Sequence, residues 1–84
     1  MHELSIAQSI LEIVQRHLPE GTDREVKSVR LKVGDRSGIV SESLEFCFKL
    51  ASEGTAMQGA RLEIEPDSGN ELNVVEVELA DETR

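Results

Sequence analysis

The 84-residue chain has no tryptophan, no tyrosine and a single cysteine, and its nine basic residues are outnumbered by seventeen acidic ones. Each shortage excludes something. Nucleic acid is not an expected partner, because phosphate backbones need clustered Lys and Arg and exposed bases need aromatic rings to stack on. Cys47 cannot form an internal disulfide, which fits a reducing cytoplasm. The absence of any long apolar run excludes a membrane span, and Met1 to Leu18 carries Glu3, Glu12 and Arg16 where a secretory signal would be apolar. What is present reads as one small acidic domain over residues 1–84, 38% apolar, with a formal net charge of -8. A core of this size stabilises a fold by only a few kcal/mol. The excess negative charge favours a cation or a basic protein surface as partner.

The feature that points to chemistry is Met1-His2-Glu3. The terminal amine of Met1, the amide nitrogen of His2 and the Nδ1 of His2 can close two fused chelate rings on one ion. Planar nitrogen donors of this kind suit Ni(II), and the Glu3 carboxylate lies close enough to assist. His2 is too large to permit removal of Met1 by methionine aminopeptidase, so the amine is expected to persist. Read alone, a His beside an initiator Met is also simply a solvated chain end.

Periodicity predicts helix, strand, helix, strand, strand. Leu4, Ala7, Leu11, Val14 and Leu18 form an apolar stripe widened by Ile6, Ile10 and Ile13, ended by Pro19-Glu20-Gly21. The helix starts at Glu3 or at a Ser5/Gln8 capping box, and His17 falls in its last turn, where an imidazole complements the helix dipole better than it serves a metal. Val29, Leu31 and Val33 alternate with Ser28, Arg30 and Lys32 in a strand from Val26 to Val33. Gly34 to Gly38 then forms a loop without the signature of a phosphate cradle. Ser41 or Ser43 is expected to cap a second helix, with Val40, Leu44, Cys47, Phe48 and Ala51 on its inner face and Gly54 stopping it. No His lies near Cys47 in sequence, so it reads as a small apolar residue rather than a nucleophile.

The last two strands, Arg61 to Glu65 and Glu71 to Leu79, are expected to form a hairpin through a turn at 66–69, Pro66-Asp67-Ser68-Gly69. Leu62 and Ile64 would face inward with Val75, Val77 and Leu79, leaving Glu63, Glu65, Glu76 and Glu78 on the water side with Arg30 and Lys32. Leu72 and Val74 are out of phase with that set, which suggests a bulge or a doubly covered stretch. The expected fold class is α/β of the α+β type: a small mixed three-stranded sheet with two helices on one face.

Met1-His2-Glu3-Leu4-Ser5, Val33-Gly34-Asp35-Arg36-Ser37-Gly38, Glu42-Ser43-Leu44-Glu45-Phe46, Gly54-Thr55-Ala56, Gly59 to Glu65 and Gly69-Asn70-Glu71-Leu72 together resemble the HypA/HybF family of hydrogenase maturation nickel chaperones. The likeness runs in one order along the whole chain. It implies a cytoplasmic, non-enzymatic nickel metallochaperone that binds Ni(II) through the N-terminal motif. His2 would be the principal ligand, with Glu3 and the amino-terminal backbone of Met1 completing or supporting the site. The implied partners are a maturation GTPase and the large subunit of nickel-iron hydrogenase, with a urease accessory protein in some organisms.

Two departures qualify the resemblance. Family members carry a zinc domain with two Cys-x-x-Cys pairs between the last two strands, where this chain has Pro66-Asp67-Ser68 and its only cysteine is Cys47. No structural zinc is therefore expected. The junction resembles a clean excision closed by a turn, as in an engineered nickel-binding domain or a natural shortened homologue, and gives a monomer or a strand-swapped dimer. The second departure is Val40, where some members place an acidic residue near the nickel; Asp35 and Glu42 flank it here. A metal-independent protein-interaction module is the alternative function, and a small hydrolase is disfavoured because no nucleophile, base and orienting group occur together.

Overall fold

The computed structural model describes residues 3–19 and 25–80. The elements follow the expected order: α1 (Glu3–His17), β1 (Val26–Gly34), α2 (Ser41–Ala51), β2 (Arg61–Asp67) and β3 (Leu72–Leu79). α1 buries Ala7, Ile10, Leu11 and Val14, and α2 buries Leu44 and Phe48, all against Val26, Val29, Leu31 and Val33 of β1. The helices pack on each other, α1 lying toward β3 and α2 toward β2. Full burial of a side chain such as Phe48 or Leu31 contributes about 1.5–3 kcal/mol, and these few residues carry the fold.

Three sequence expectations are corrected. The first is the hairpin. The strand order is β2-β1-β3, so the last two strands flank β1 instead of pairing with each other. β1 runs parallel to β2, with Arg30 opposite Glu63 and Lys32 opposite Glu65, and antiparallel to β3, with Arg30 opposite Glu76 and Ser28 opposite Glu78. The charges account for this arrangement. A β2–β3 hairpin would set acidic residues of the two strands side by side, which is destabilising, whereas a basic central strand separates them. β1 is also the most completely buried strand, and the centre of the sheet covers it on both edges. Pro66 and Asp67 are consequently strand residues, paired with Val33 and Gly34. Pro66 is tolerated there because β2 is an edge strand. Only residues 68–71 connect β2 to β3, passing over the end of β1.

The second correction concerns Val75. The register shifts between Arg30 and Leu31, which pair with Glu76 and Val74, so Val75 is an extra, unpaired residue. This is the bulge that the phase change in the sequence suggested, but it turns Val75 outward to 45% exposure, and the inward set becomes Leu72, Val74, Val77 and Leu79. A second bulge at Lys27 lets Val26 and Val29 face the same side.

The third correction concerns the helix starts. Leu4 is 49% exposed and Val40 is 54% exposed. Glu3 occupies the inward position at the first turn of α1, and since successive helical residues are rotated by about 100°, Leu4 is left at the margin. α2 has Val40 as its N-cap residue with no side-chain cap bond, so neither Ser41 nor Ser43 fills that role. At its other end, the expected glycine stop is present: Ser52 is the C-cap and Gly54 follows with φ 80°. The segment after it returns Met57 into the core at 0% exposure, an anchor that no periodic pattern announces.

Candidate metal centre

Met1 and His2, two of the three expected metal-site residues, lie outside the described residues. Glu3, the third, opens α1 and is only 9% exposed. Its side chain turns back across the fold, where the backbone N–H of Val40 donates to its Oε2 at 3.1 Å. This joins the first turn of α1 to the start of α2. The first N–H groups of a helix have no partner within it, and the positive end of the helix dipole attracts a carboxylate, so Glu3 supplies from a distant part of the chain the acceptor that α2 lacks locally.

The other described residues singled out in the sequence do not join Glu3 in a donor set. Val40, where an acidic side chain was of interest, offers only a backbone group to Glu3. Asp35 accepts through Oδ1 from the N–H of Gly69 at 3.2 Å, tying it to the connection between β2 and β3. Glu42 is exposed in the first turn of α2. Among the described residues, no group of three or more His, Cys, Asp and Glu side chains could hold a metal ion.

His17 is at the opposite end of α1, about 20 Å of helix away from Glu3. Its Nδ1 lies 2.8 Å from the carbonyl oxygen of Ile13, an acceptor, so Nδ1 carries the proton and donates. The contact satisfies a carbonyl of the last helical turn, a structural role made by a hydrogen bond where a charge–dipole interaction was expected.

The loop after β1 is also organised by backbone bonds. Gly34 N–H donates to Glu71 O at 2.8 Å, Asp35 N–H to Asp67 O at 2.8 Å and Arg36 N–H to Gly69 O at 2.7 Å. A cleft of about 400 Å³ opens between this loop and α2, with the carboxylates of Asp35 and Glu45 in its wall. Those charges disfavour an anion, in keeping with the missing phosphate signature. Cys47 is half-buried on α2 and packs against the core. No described helix is long and apolar enough to cross a membrane.

On the outer face of the sheet, Arg30 reaches Glu65 of β2 at 3.0 Å and also bonds Glu76 of β3, bridging all three strands. Lys27 lies 3.8 Å from Glu78. The cross-strand pairing expected from the alternating charges is present for Arg30.

Comparison with known proteins agrees with the family resemblance and the fold. Residues 1–72 match the family described as hydrogenase/urease nickel incorporation, metallochaperone, hypA. The chain is 49% identical over 65 residues to the hydrogenase maturation factor HypA of a Geobacter species, covering 77% of this chain and 56% of that protein. It is 47% identical over 64 residues to the HypA of Archaeoglobus fulgidus, covering 76% and 58%, and 43% identical over 70 residues to that of Streptomyces avermitilis, covering 82% and 53%. The chain thus spans little more than half the length of these relatives. The solution structure of the Ni metallochaperone HypA from Helicobacter pylori superposes with a TM-score of 0.80 at 16% identity, covering 98% of this chain and 100% of that one, which establishes a shared fold. With the family match extending from Met1 through the start of β3, the chain belongs to the HypA family of metallochaperones, whose members are hydrogenase maturation factors and not enzymes.

Proposed function

We propose that this chain is a nickel-binding domain that carries Ni(II) for the maturation of nickel-iron hydrogenase. The amine of Met1 with the amide and imidazole nitrogens of His2 form the donor set, and Glu3 is the third member of the site. The observation that carries the reading is the anchoring of Glu3 on α2. It supports a terminal pair mounted at the start of a packed helix, and a site with few protein donors and an open side suits an ion that must be handed on. The partners would be a maturation GTPase and the hydrogenase large subunit, with urease machinery a further recipient, in the cytoplasm. The connection at 68–71 stands where the resemblance implies a zinc domain. With Cys47 alone available, this chain folds without structural zinc and acts as a single unit.

The second reading, a metal-independent interaction module, draws support from Phe46 and Leu50, which are 63% and 50% exposed one turn apart on α2. Calorimetric titration with nickel separates the two. Wild-type protein and His17→Ala should bind one equivalent, whereas His2→Ala should lose specific binding with its circular dichroism unchanged. Wild-type affinity in His2→Ala would reject the assignment.

A further inference from the structure

β2 is an edge strand, and among the described residues no strand pairs with its far side. The N–H of Asp35 donates to the carbonyl of Asp67 on the β1 side, and the β1–β2 register runs unbroken from Arg61 to Asp67. Backbone groups alternate sides along a strand. Asp67, Glu65 and Glu63 therefore point theirs at β1, while Leu62, Ile64 and the Pro66 nitrogen, which has no N–H to lose, point away. The free edge thus offers the N–H and C=O of Leu62 and Ile64. Its apolar row is open as well: Leu62 and Ile64 are only half-buried, although Val29 and Leu31 opposite them in β1 are fully buried. Beside them runs a groove of about 480 Å³ whose α2 wall includes Glu45, Phe48 and Lys49.

Charge determines what fits this edge. Arg61-Leu62-Glu63-Ile64-Glu65 complements itself when reversed about Glu63. In an antiparallel pair of two such strands, Arg61 comes opposite Glu65, Leu62 opposite Ile64, and only Glu63 meets its own kind. Leu62 and Ile64 would exchange the backbone hydrogen bonds, which leaves Arg61 and Glu65 in the non-hydrogen-bonded positions where side chains stand closest. The same two-fold axis sets α2 antiparallel to its copy, with Glu45 of each toward Lys49 of the other. β3 offers no such match, since it carries Glu76 and Glu78 without a basic residue and the extra residue Val75 breaks its edge. We propose that β2 is a self-association edge, joining two copies of this chain through an isologous antiparallel β2–β2 pair into one continuous sheet. The two Glu63 carboxylates on the axis oppose the pairing and keep it weak and reversible. Arg61, 3.3 Å from Glu63 on its own strand, offsets part of that repulsion.

Sedimentation equilibrium of the metal-free chain, followed up to millimolar concentration, should show a monomer–dimer equilibrium that dissociates on dilution. Amide hydrogen exchange should find the N–H groups of Leu62 and Ile64 protected in concentrated protein and open in dilute protein, with those of Glu63 and Glu65 protected in both. Arg61→Glu turns each attractive pair with Glu65 into a repulsive one and should weaken the dimer by about 10–100-fold. Its side chain is exposed and bonds only Glu63, so circular dichroism should stay that of wild type. Glu63→Gln removes the like charges on the axis and should tighten the dimer by about 2–5-fold, a gain that a misfolded variant would not give. Val75→Asp, on the other edge, should leave association unchanged. Association of Arg61→Glu at wild-type strength, or its loss in Val75→Asp alone, overturns the proposal. A dimer that persists on dilution overturns it in favour of strand exchange. A chain that stays monomeric at every concentration overturns it too and leaves the edge to a strand of another protein.

Discussion

A β-carbon on Gly34 would stand 2.3 Å from the carbonyl oxygen of Gly69, closer than any relaxed contact. Gly34 ends the central strand, and Gly69 lies in the short connection that crosses over it, so the missing side chain lets β3 reach the far side of β1. Gly34→Ala must displace backbone that is itself hydrogen-bonded. Overpacking costs about 1–3 kcal/mol or more, and here the upper part of that range is expected. Gly69→Ala meets open space but must hold φ near 102°, a left-handed conformation costing about 1–2 kcal/mol. Urea denaturation should rank the two variants in that order. Light scattering should also show dimer in Gly34→Ala, because exchanging β3 between two molecules relieves the close crossing.

Arg30 is the one cation bonded to carboxylates on both edge strands among the described residues. Its guanidinium is held above its ordinary pKa, chiefly by the hydrogen bond to Glu65 and next by the charge of Glu76. A raised pKa on a base contributes stability that is fully present below the unfolded value, so the titration of Arg30 itself adds no pH dependence near neutrality. Arg30→Gln should lower the thermal midpoint slightly in dilute buffer. The difference from wild type should shrink at 1 M salt, where the screening length falls to about 3 Å. Lys27→Gln, which removes one longer and more exposed pair, should change less.

The alternation of Val29, Leu31 and Val33 and the i, i+3, i+4 stripe of α1 were legible because burial imposes a period on the sequence. An irregularity in β3 was legible too, since one inserted residue reverses the phase of a strand, but its place at Val75 was not. The partner of β3 was not legible from its turn residues. Pro66 and Gly69 carry the chemistry of a tight turn, yet the most completely buried strand takes the centre of the sheet, with Arg30 and Lys32 set between acidic neighbours. Glu3 was found as a site residue but not as a cap on α2. Nothing local distinguishes a carboxylate that faces an ion from one that faces an amide 37 residues away. Met57 was missed for a similar reason, because a single core anchor in an irregular segment has no period.

If the amine of Met1 is a donor, converting it to an amide removes it from the nickel without touching His2. A Gly-Ser remnant ahead of Met1 should therefore weaken binding by more than the roughly 10–100-fold that loss of an outer-shell partner brings. Acid should act in the same direction. Unperturbed imidazole and α-amine groups bind protons near pH ~6.5 and ~8, and metal competes with protons for both. Titrations of tagged and untagged protein at several pH values measure both effects; equal affinities would show that the amine is not a ligand.

Position 40 is where nickel affinity and helix stability can be separated. Val40 is the N-cap of α2, its side chain is exposed, and its amide is bonded to Glu3. Val40→Asn supplies a capping side chain without charge and should stabilise the metal-free protein by about 1 kcal/mol. Its nickel affinity should stay as in wild type. Val40→Asp supplies the same cap but sets a second carboxylate beside Glu3, and the repulsion should cancel much of the gain in the absence of metal. Bound Ni(II) would relieve that repulsion and accept the new oxygen, so nickel should raise the melting temperature of Val40→Asp more than that of Val40→Asn or wild type. Each tenfold gain in affinity adds about 1.4 kcal/mol of stabilisation at saturating metal, enough to resolve by thermal melts with and without nickel. An equal nickel response in all three proteins would place the ion away from residue 40, and with it away from the anchored end of α1.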